Sequence, residues 1–297
     1  MEATFTPTVR IDCGDALALL RREADESVDC VVTSPPYGTL IRYGKGAGRG
    51  DVGRNTVVPA DRYADWLLPI LAEIARVLVP GGVLALNLNG QGGAAYPEEV
   101  AWRVVRETEL QLQERVCWVK ANAIPTGHRG TRLIPEWEPM WAFRRGPSLA
   151  YFGRDDIRRP YAPTTIRRAA RGNLHRGQRG HHAGQAHPYV RGEKREYVHP
   201  AGRDACNVLW AAPEQRSAWP HPARFPEALP EFFIRAYCPE GGTVMDPFVG
   251  SGTTCAVAAR LGRHSVGFDL EPLYAEMARK RAWVSAQPRM AFGGVAR

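Results

Sequence analysis

The sequence lacks the marks of a membrane protein, a metalloprotein and a disulfide-stabilised protein. No apolar run reaches the roughly 20 residues that a membrane-spanning helix needs, and the N-terminal MEATFTPTVR has no basic segment followed by an apolar one. The six cysteines form no C-x-x-C pair, and at least two lie in apolar runs, as buried thiols do. We therefore expect a cytosolic protein with no membrane partner, no metal site and no disulfide framework.

Acidic residues are also missing from one long stretch, residues 157–192. That stretch contains no Asp or Glu but eight arginines: Arg158, Arg159, Arg167, Arg168, Arg171, Arg176, Arg179 and Arg191. It is either a solvated surface segment or a surface that pairs with nucleic-acid phosphates and reads guanine. Its charge alone leaves both interpretations open. The whole chain, with 297 residues and 44% hydrophobic content, is long enough to bury a large core.

Strand and helix patterns alternate at both ends of the chain. Apolar runs predict strands at 9–11, 28–33, 83–89, 113–119, 137–143, 207–210, 243–245 and 264–268. Helices are predicted at 16–20, 61–78 and 98–109, with further helices between the last strands, and Pro80-Gly81-Gly82 is predicted as a turn. This alternation predicts an α/β fold with one doubly wound, Rossmann-like sheet, interrupted by the basic region as an insertion.

The strand at 28–33 ends abruptly at Ser34-Pro35-Pro36-Tyr37. Consecutive prolines donate no backbone N–H and fix φ at about −65°, so the chain leaves the strand in one stiff conformation. A turn that only ends a strand would explain the two prolines. The hydroxyl and the aromatic ring held on either side of them suggest a site instead.

A second polar loop follows the strand at 243–245, just before an Ala- and Val-rich helix. Its residues are Asp246, Pro247, Phe248, Val249, Gly250, Ser251, Gly252, Thr253 and Thr254. The glycines admit a ligand close to the backbone, and the N–H groups of the first helical turn form an anion site. About twenty residues later Asp269 ends the next strand, where a carboxylate can accept hydrogen bonds from two ribose hydroxyls. The pattern predicts a nucleoside site.

Two common nucleotide motifs are absent from this loop. It has no P-loop lysine and does not match G-x-G-x-x-G, which argues against nucleoside triphosphates and dinucleotides. S-adenosylmethionine offers a ribose for Asp269, a carboxylate for the Gly-rich turn and an ammonium group for Asp246. We therefore expect S-adenosyl-L-methionine as the cofactor, with a purely structural turn as the alternative.

TSPPY, the basic central region and DPFVGSGTT, in this order, resemble the β-class (permuted) DNA amino-methyltransferases, in the branch associated with N4-cytosine methylation. The resemblance covers nearly the whole chain outside residues 144–203. It implies that the two motif strands are neighbours in the sheet, although one lies early and the other late in the sequence.

The resemblance also implies a reaction, the transfer of a methyl group to the N4 amine of a cytosine flipped out of duplex DNA. The catalytic residues it implies are Ser34, Pro35, Pro36 and Tyr37. Tyr37 would stack on the base, while the Ser34 hydroxyl and the Pro35 carbonyl would accept hydrogen bonds from the amine. No cysteine lies in this loop, consistent with a reaction that needs no covalent intermediate.

Several residues are assigned on weaker grounds. Asp15 would contact the cofactor's adenine or only cap a helix, and Phe225 would wall the methionine end of the cofactor. Asn87 and Asn89 would line the site or cap a turn. Expected DNA contacts are Lys45, Arg49, His128, Arg129, Arg132, Arg158, Arg159, Arg167, Arg168, Arg171, Arg176 and Arg179.

The expected organisation has three parts: a catalytic part at 1–143, a target-recognition insertion at 144–205 and a cofactor-binding part at 206–297. Double-stranded DNA is the expected partner, in a bacterial or archaeal nucleoid. The sequence leaves open a cognate restriction endonuclease, a homodimer and the recognition sequence. Alternative functions are N6-adenine methylation, RNA or protein methylation on the same fold, and a DNA-binding module that does not catalyse.

Overall fold

Eight strands of the computed structural model form one sheet, in the order β1-β8-β7-β2-β3-β5-β4-β6. The structure describes residues 5–37, 58–90, 94–120, 135–170, 199–213, 219 and 226–287. The strands are β1 (Val9–Cys13), β2 (Val28–Thr33), β3 (Leu78–Asn87), β4 (Leu110–Lys120), β5 (Trp137–Arg145), β6 (Val208–Ala211), β7 (Thr243–Asp246) and β8 (His264–Asp269). β5 runs antiparallel to β3 and β4, and the other neighbouring pairs are parallel. The predicted α/β sheet is confirmed.

The helices form two groups. In the first, α2 packs against α1 and α3, and in the second, α6 packs against α5 and α7. The helices are α1 (Ala16–Leu20), α2 (Tyr63–Val77), α3 (Tyr96–Glu107), α4 (Pro163–Ala170), α5 (Ala228–Tyr237), α6 (Thr253–Arg260) and α7 (Pro272–Ala286). α2 buries Leu67, Leu71 and Ile74 at helical spacing. No helix in the described ranges is long and apolar enough to cross a membrane.

The main departure from the sequence prediction lies in β3, where Pro80, Gly81 and Gly82 were predicted as a turn before the strand. The strand already begins at Leu78, and its register with β2 shifts between the pairs Val28–Leu78 and Cys30–Val83. Gly81 has φ +83°, and a Cβ there would lie 2.3 Å from the Ala150 nitrogen. The three residues therefore form an irregularity inside the strand, because neighbouring backbone comes too close to Gly81 for a side chain.

The parallel strands bring the predicted motifs to one edge of the sheet. β2 pairs with β7, so the strand before Ser34 lies beside the strand that ends at Asp246. The predicted neighbour relation of the two motif strands is confirmed. Strand order reverses between β7 and β2, and ligands of doubly wound folds bind at such a switch point, outside the carboxyl ends of the strands.

The chain divides into two compact units, Met1–Gly153 with Asn207–Arg297, and Arg154–Cys206. The first unit contains the whole sheet. In the described part of the second unit, Arg159 and Arg203 form an isolated β-bridge, and α4 carries Arg167 and Arg168. The functional division at 143/144 and 205/206 stays a prediction.

Candidate active site

A polar cluster lies where β2 and β3 end, and it includes two of the residues predicted to be catalytic. Ser34 Oγ donates to Tyr37 Oη at 3.1 Å and lies 3.4 Å from Asn87 Oδ1. Tyr37 Oη donates to Asn87 Oδ1 at 2.7 Å. Tyr63 on α2 donates its hydroxyl to the Pro36 carbonyl at 2.7 Å, which ties the two-proline segment to the core. The loop is thus held by side-chain hydrogen bonds as well as by its prolines.

Two residues that the sequence analysis missed complete this cluster. Glu138 is only 7% exposed, and its Oε2 lies 3.2 Å from Tyr37 Oη and 3.3 Å from Asn87 Nδ2. Its other oxygen, Oε1, forms an ion pair with Lys120 Nζ at 2.6 Å. The available signal was a glutamate inside the apolar run WEPMWAF, because a charged residue is rarely buried without a partner. Of the two asparagines considered, Asn87 joins the cluster, and the backbone carbonyl of Asn89 accepts from Tyr96.

Asp246, at the end of β7, connects the two motifs. Its carboxylate accepts hydrogen bonds from Thr33 Oγ1 at 2.6 Å and from Thr254 Oγ1 at 2.8 Å. The Phe248 N–H donates to it as well, at 3.1 Å. Burial raises the pKa of Asp246 to about 6, against the effect of these three donors. Since Thr33 directly precedes Ser34, one hydrogen bond joins β2, which leads into the Ser34 loop, to β7, which leads into the Gly-rich loop.

Asp269 and Asp15 lie at the neighbouring strand ends. Asp269 accepts from the Gly250 N–H at 3.0 Å and from the Glu271 N–H at 2.8 Å. Burial, with a smaller contribution from the nearby Asp246, raises its pKa to about 6 against the effect of these two donors. β1 ends beside Asp269, and Asp15 follows two residues later as the N-cap of α1, accepting from the Ala18 N–H at 2.9 Å. The capping interpretation of Asp15 is therefore correct, and its contact with a cofactor stays a prediction.

A buried arginine that the sequence analysis also missed donates hydrogen bonds to the Gly-rich turn. Arg281 on α7 is 4% exposed, and its Nη1 donates to Ser251 Oγ at 3.2 Å and to Thr253 Oγ1 at 2.9 Å. Its Nη2 pairs with Glu227 at 2.9 Å. Gly252 has φ +82°, and a Cβ there would lie 2.7 Å from the Cα of Ala278. Gly252 therefore allows helix packing, in addition to any role toward a ligand.

Most of the predicted DNA contacts, and Phe225, lie outside the described residues: Lys45, Arg49, His128, Arg129, Arg132, Arg171, Arg176 and Arg179. Arg158 is described, and its guanidinium pairs with Asp155 at 2.7 Å and with Asp204 at 3.0 Å. Arg159 donates to Cys206 Sγ at 3.5 Å. Arg167 is exposed on α4. All of these DNA contacts stay predictions.

Within the described ranges, no group of three or more His, Cys, Asp or Glu side chains is arranged to hold a metal ion. Buried Cys30, Cys238 and Cys255 have pKa values raised chiefly by burial, which disfavours the thiolate that acts as a nucleophile. The polar side chains described at this edge of the sheet are instead hydroxyls, carboxylates, the Asn87 amide and the Lys120 ammonium group. Such groups bind and orient by hydrogen bonding.

Comparisons with known proteins agree with this geometry. A family model described as DNA methylase, for N6- and N4-methyltransferases, matches residues 28–280. The Type II methyltransferase M.XycI of Xanthomonas campestris pv. cyanopsidis is 31% identical, over 90% of this chain and 85% of that protein. M.ScaI of Streptomyces caespitosus, also a Type II methyltransferase, is 26% identical, over 95% of this chain and 84% of that protein.

Two solved structures share the fold. The PvuII DNA methyltransferase (cytosine-N4-specific) has a TM-score of 0.63 at 22% identity, covering 93% of this chain and 86% of that chain. The M1.HpyAVI–SAM complex has a TM-score of 0.58 at 18% identity, covering 92% and 98%. The sheet and its two strand-end loops thus define a doubly wound domain of the methyltransferase type. The chain belongs to the DNA methylase family of N6- and N4-methyltransferases.

Proposed function

We propose that this DNA methyltransferase transfers a methyl group to the exocyclic N4 amine of a cytosine flipped out of duplex DNA. The observation that carries the proposal is the Ser34 hydroxyl at the end of β2, hydrogen-bonded to Tyr37 and next in sequence to Thr33, which bonds Asp246. This arrangement sets an amine-binding group beside the predicted cofactor loop. The N4-specific PvuII enzyme shares the fold, and serine at this position is typical of the N4 branch that the sequence resembles.

S-adenosyl-L-methionine is the cofactor, and when bound it supplies an electrophilic methyl group on its sulfonium. The described residues fit it. Asp246 is buried and Asp269 is half-buried at adjacent strand ends, and the Asp246 charge adds to the cost of ionising Asp269, so a cationic ligand with ribose hydroxyls would stabilise both carboxylates. Asp269 accepts two backbone hydrogen bonds and still has lone pairs for hydroxyls. Asp246 already has three donors, so it contributes mainly its negative charge.

The residues of the TSPPY loop orient the target amine. Ser34 Oγ and the Pro35 carbonyl accept its two N–H groups, which draws the nitrogen lone pair out of conjugation and toward the methyl group. Tyr37 stacks on the base. The prolines and the Tyr63 hydrogen bond hold this geometry before the base arrives, and such preorganisation is where most of the rate enhancement originates. The chemistry uses no enzyme nucleophile.

The proposed role is Type II modification, the activity for which M.XycI and M.ScaI are named. The second unit, Arg154–Cys206, is proposed to contact the duplex through its arginines. N6-adenine methylation is the second candidate, because the family model includes both amines and the described geometry accepts either. Ser34 favours cytosine, since a short hydroxyl reaches less far than a carboxylate or carboxamide and suits an amine closer to the strand end.

The test is the chemical product. Unmethylated DNA is treated with the enzyme and S-adenosylmethionine, digested to nucleosides and weighed by mass spectrometry. We expect N4-methylcytosine, and we expect Ser34→Ala to lose about a hundredfold or more in turnover while still binding cofactor. N6-methyladenine alone would overturn the base assignment but keep the mechanism. 5-Methylcytosine would overturn both, because methylation at carbon needs a nucleophile.

A further inference from the structure

The hydrogen bonds of the active-site cluster have a defined direction, and the starting point is Asn87. Its Nδ2 donates to the Pro139 carbonyl at 3.1 Å and lies 3.3 Å from Glu138 Oε2. Both partners are acceptors, so the amide nitrogen must face them. The amide oxygen Oδ1 therefore faces the opposite way, toward the hydroxyls of Tyr37 and Ser34.

The direction of the Tyr37 hydroxyl is fixed next, by the acceptors around it. This hydroxyl has one hydrogen and two neighbours that can only accept, Asn87 Oδ1 at 2.7 Å and Glu138 Oε2 at 3.2 Å. A carboxylate and an amide oxygen carry no hydrogen to offer. The single Tyr37 hydrogen is taken by one of these two acceptors, so Tyr37 does not also donate to Ser34. Toward Ser34, the Tyr37 oxygen is an acceptor.

Ser34 is the end of this chain of hydrogen bonds. Among the described residues its hydrogen has two acceptors, Tyr37 Oη at 3.1 Å and Asn87 Oδ1 at 3.4 Å. With the hydrogen turned inward, the remaining lone pairs of Ser34 Oγ are left for a substrate. A free serine hydroxyl would rotate and present either a hydrogen or a lone pair to a ligand.

We propose that Glu138, held by Lys120, is a positioning residue that makes Ser34 an obligate hydrogen-bond acceptor for the target amine. The inference rests on the proposed function and adds the residue that fixes the direction of the Ser34 hydroxyl. Lys120 binds Oε1, which leaves Oε2 to fix the directions of Asn87 and Tyr37. A serine so constrained binds an N–H and repels a lone pair. It therefore selects an exocyclic amine over a carbonyl oxygen at the same place on a base.

The isosteric change Glu138→Gln reverses this direction with little change in shape. Lys120 only donates, so the new amide oxygen must face Lys120 and the new NH₂ group takes the place of Oε2. That NH₂ then opposes Asn87 Nδ2, donor against donor. Turning the Asn87 amide over removes this conflict, but it sets Oδ1 against the Pro139 carbonyl and replaces the acceptor Oδ1 with a donor beside Ser34. The Ser34 hydrogen is then free to point at the incoming amine.

The experiment is a double-mutant cycle of Glu138→Gln with Ser34→Ala. Single-turnover methyl transfer is measured with radiolabelled S-adenosylmethionine on unmethylated genomic DNA, and cofactor binding is measured by calorimetry. Glu276→Gln is the matched control, since Glu276 also pairs with a lysine at 2.6 Å, on the exposed face of α7. We expect Glu138→Gln to slow transfer at least about tenfold, with cofactor affinity within about twofold of wild type and the control unchanged.

In the Ser34→Ala background the same change should slow transfer by less than about twofold, because the hydroxyl that it acts through is gone. Equal slowing in both backgrounds, or no slowing by Glu138→Gln alone, overturns the inference. If Glu138→Gln fails to bind cofactor, Tyr37→Phe, which removes the oxygen that accepts from Ser34, takes its place with the same expectation. A wild-type enzyme that methylates no DNA amine would instead refute the proposed function itself.

Discussion

Two carboxylates at the sheet edge, Asp246 and Asp269, have pKa values that make stability and the expected cofactor binding depend on pH. Asp246 and Asp269 have pKa values raised from 3.8 to about 6, and burial is the largest cause for both. The folded protein therefore binds protons on these groups more tightly than the unfolded chain does. Their contribution to stability is present at low pH and is lost as the pH rises from about 4 through 6.

Cofactor affinity should change with pH in the opposite direction. Only the ionised carboxylates attract a cation and accept from both ribose hydroxyls, so binding of S-adenosylmethionine should weaken as the pH falls below about 6. Asp269→Ala should cost about 1.5–3 kcal/mol of binding free energy at neutral pH, the range for a charged hydrogen-bonding group. Calorimetry between pH 5 and pH 7.5 measures both effects.

Asp269→Asn separates the charge from the shape. It keeps an acceptor near the backbone N–H groups of Gly250 and Glu271 but has no charge to lose. The affinity of this variant should depend less steeply on pH than that of the wild type. Unchanged affinity in Asp269→Ala would remove the residue from the cofactor site.

At the scale of elements, the start of α6 depends on its packing against α7. Gly252 is the N-cap residue of α6, in the left-handed region at φ +82°, and its α-hydrogens face Ala278 of α7. Arg281, one turn along α7, bonds Ser251 and Thr253 in the same turn. The loop from Asp246 to Thr254 is thus shaped by a helix that follows it in sequence, and Gly252 is needed for the contact between α6 and α7.

Gly252→Ala should therefore destabilise the protein more than an ordinary glycine substitution at positive φ. Gly262, just after α6, has φ +72° but nothing within 4 Å of a Cβ, so Gly262→Ala pays the backbone strain alone. We expect about 1–2 kcal/mol for Gly262→Ala and a further 1–3 kcal/mol for Gly252→Ala, from overpacking against Ala278. Urea unfolding of both variants measures the difference. Equal losses would show that α7 moves aside without cost.

At the scale of the whole molecule, the arginine-rich stretch and the two sequence motifs lie in different parts of the chain. The first unit holds the sheet and both motifs, while residues 157–192, within the span of the second unit, contain eight arginines and no acidic residue. Arg158 forms ion pairs within that unit, with Asp155 and Asp204. The remaining arginines are the candidates for binding phosphate.

Neutralising Arg167, Arg168 and Arg171 together should weaken DNA binding without changing cofactor affinity. Each lost phosphate contact should reduce the slope of log affinity against log salt by about one unit, because one condensed counterion fewer is released. Fluorescence anisotropy with duplex DNA across a salt series gives the slope, and calorimetry gives the cofactor control. An unchanged slope would mean that these arginines do not contact phosphate.

The two loops and several strands and helices could be predicted because they depend on residues close together in the sequence. Proline stiffness marked the Ser34 loop, paired glycines before a helix marked the Asp246 loop, and apolar periodicity placed β2, β7 and α2 to within about two residues. The order of the two motifs, through the resemblance, also predicted that β2 and β7 are neighbours. The irregular start of β3 was not predictable, because the close approach at Gly81 involves Ala150, far along the chain.

By itself, then, the sequence determined the two loops, which depend on residues adjacent in the chain. The alternation of strands and helices and the order of the two motifs determined the fold class and the family. Only the tertiary structure decided which polar side chains contact one another at the carboxyl ends of the strands. Tyr37 lies 50 residues from Asn87 and 101 from Glu138, and Thr33 lies 213 from Asp246. No local pattern encodes such pairs. They form because parallel strands end at one edge of the sheet, and because a buried hydroxyl, amide or carboxylate must find a partner there.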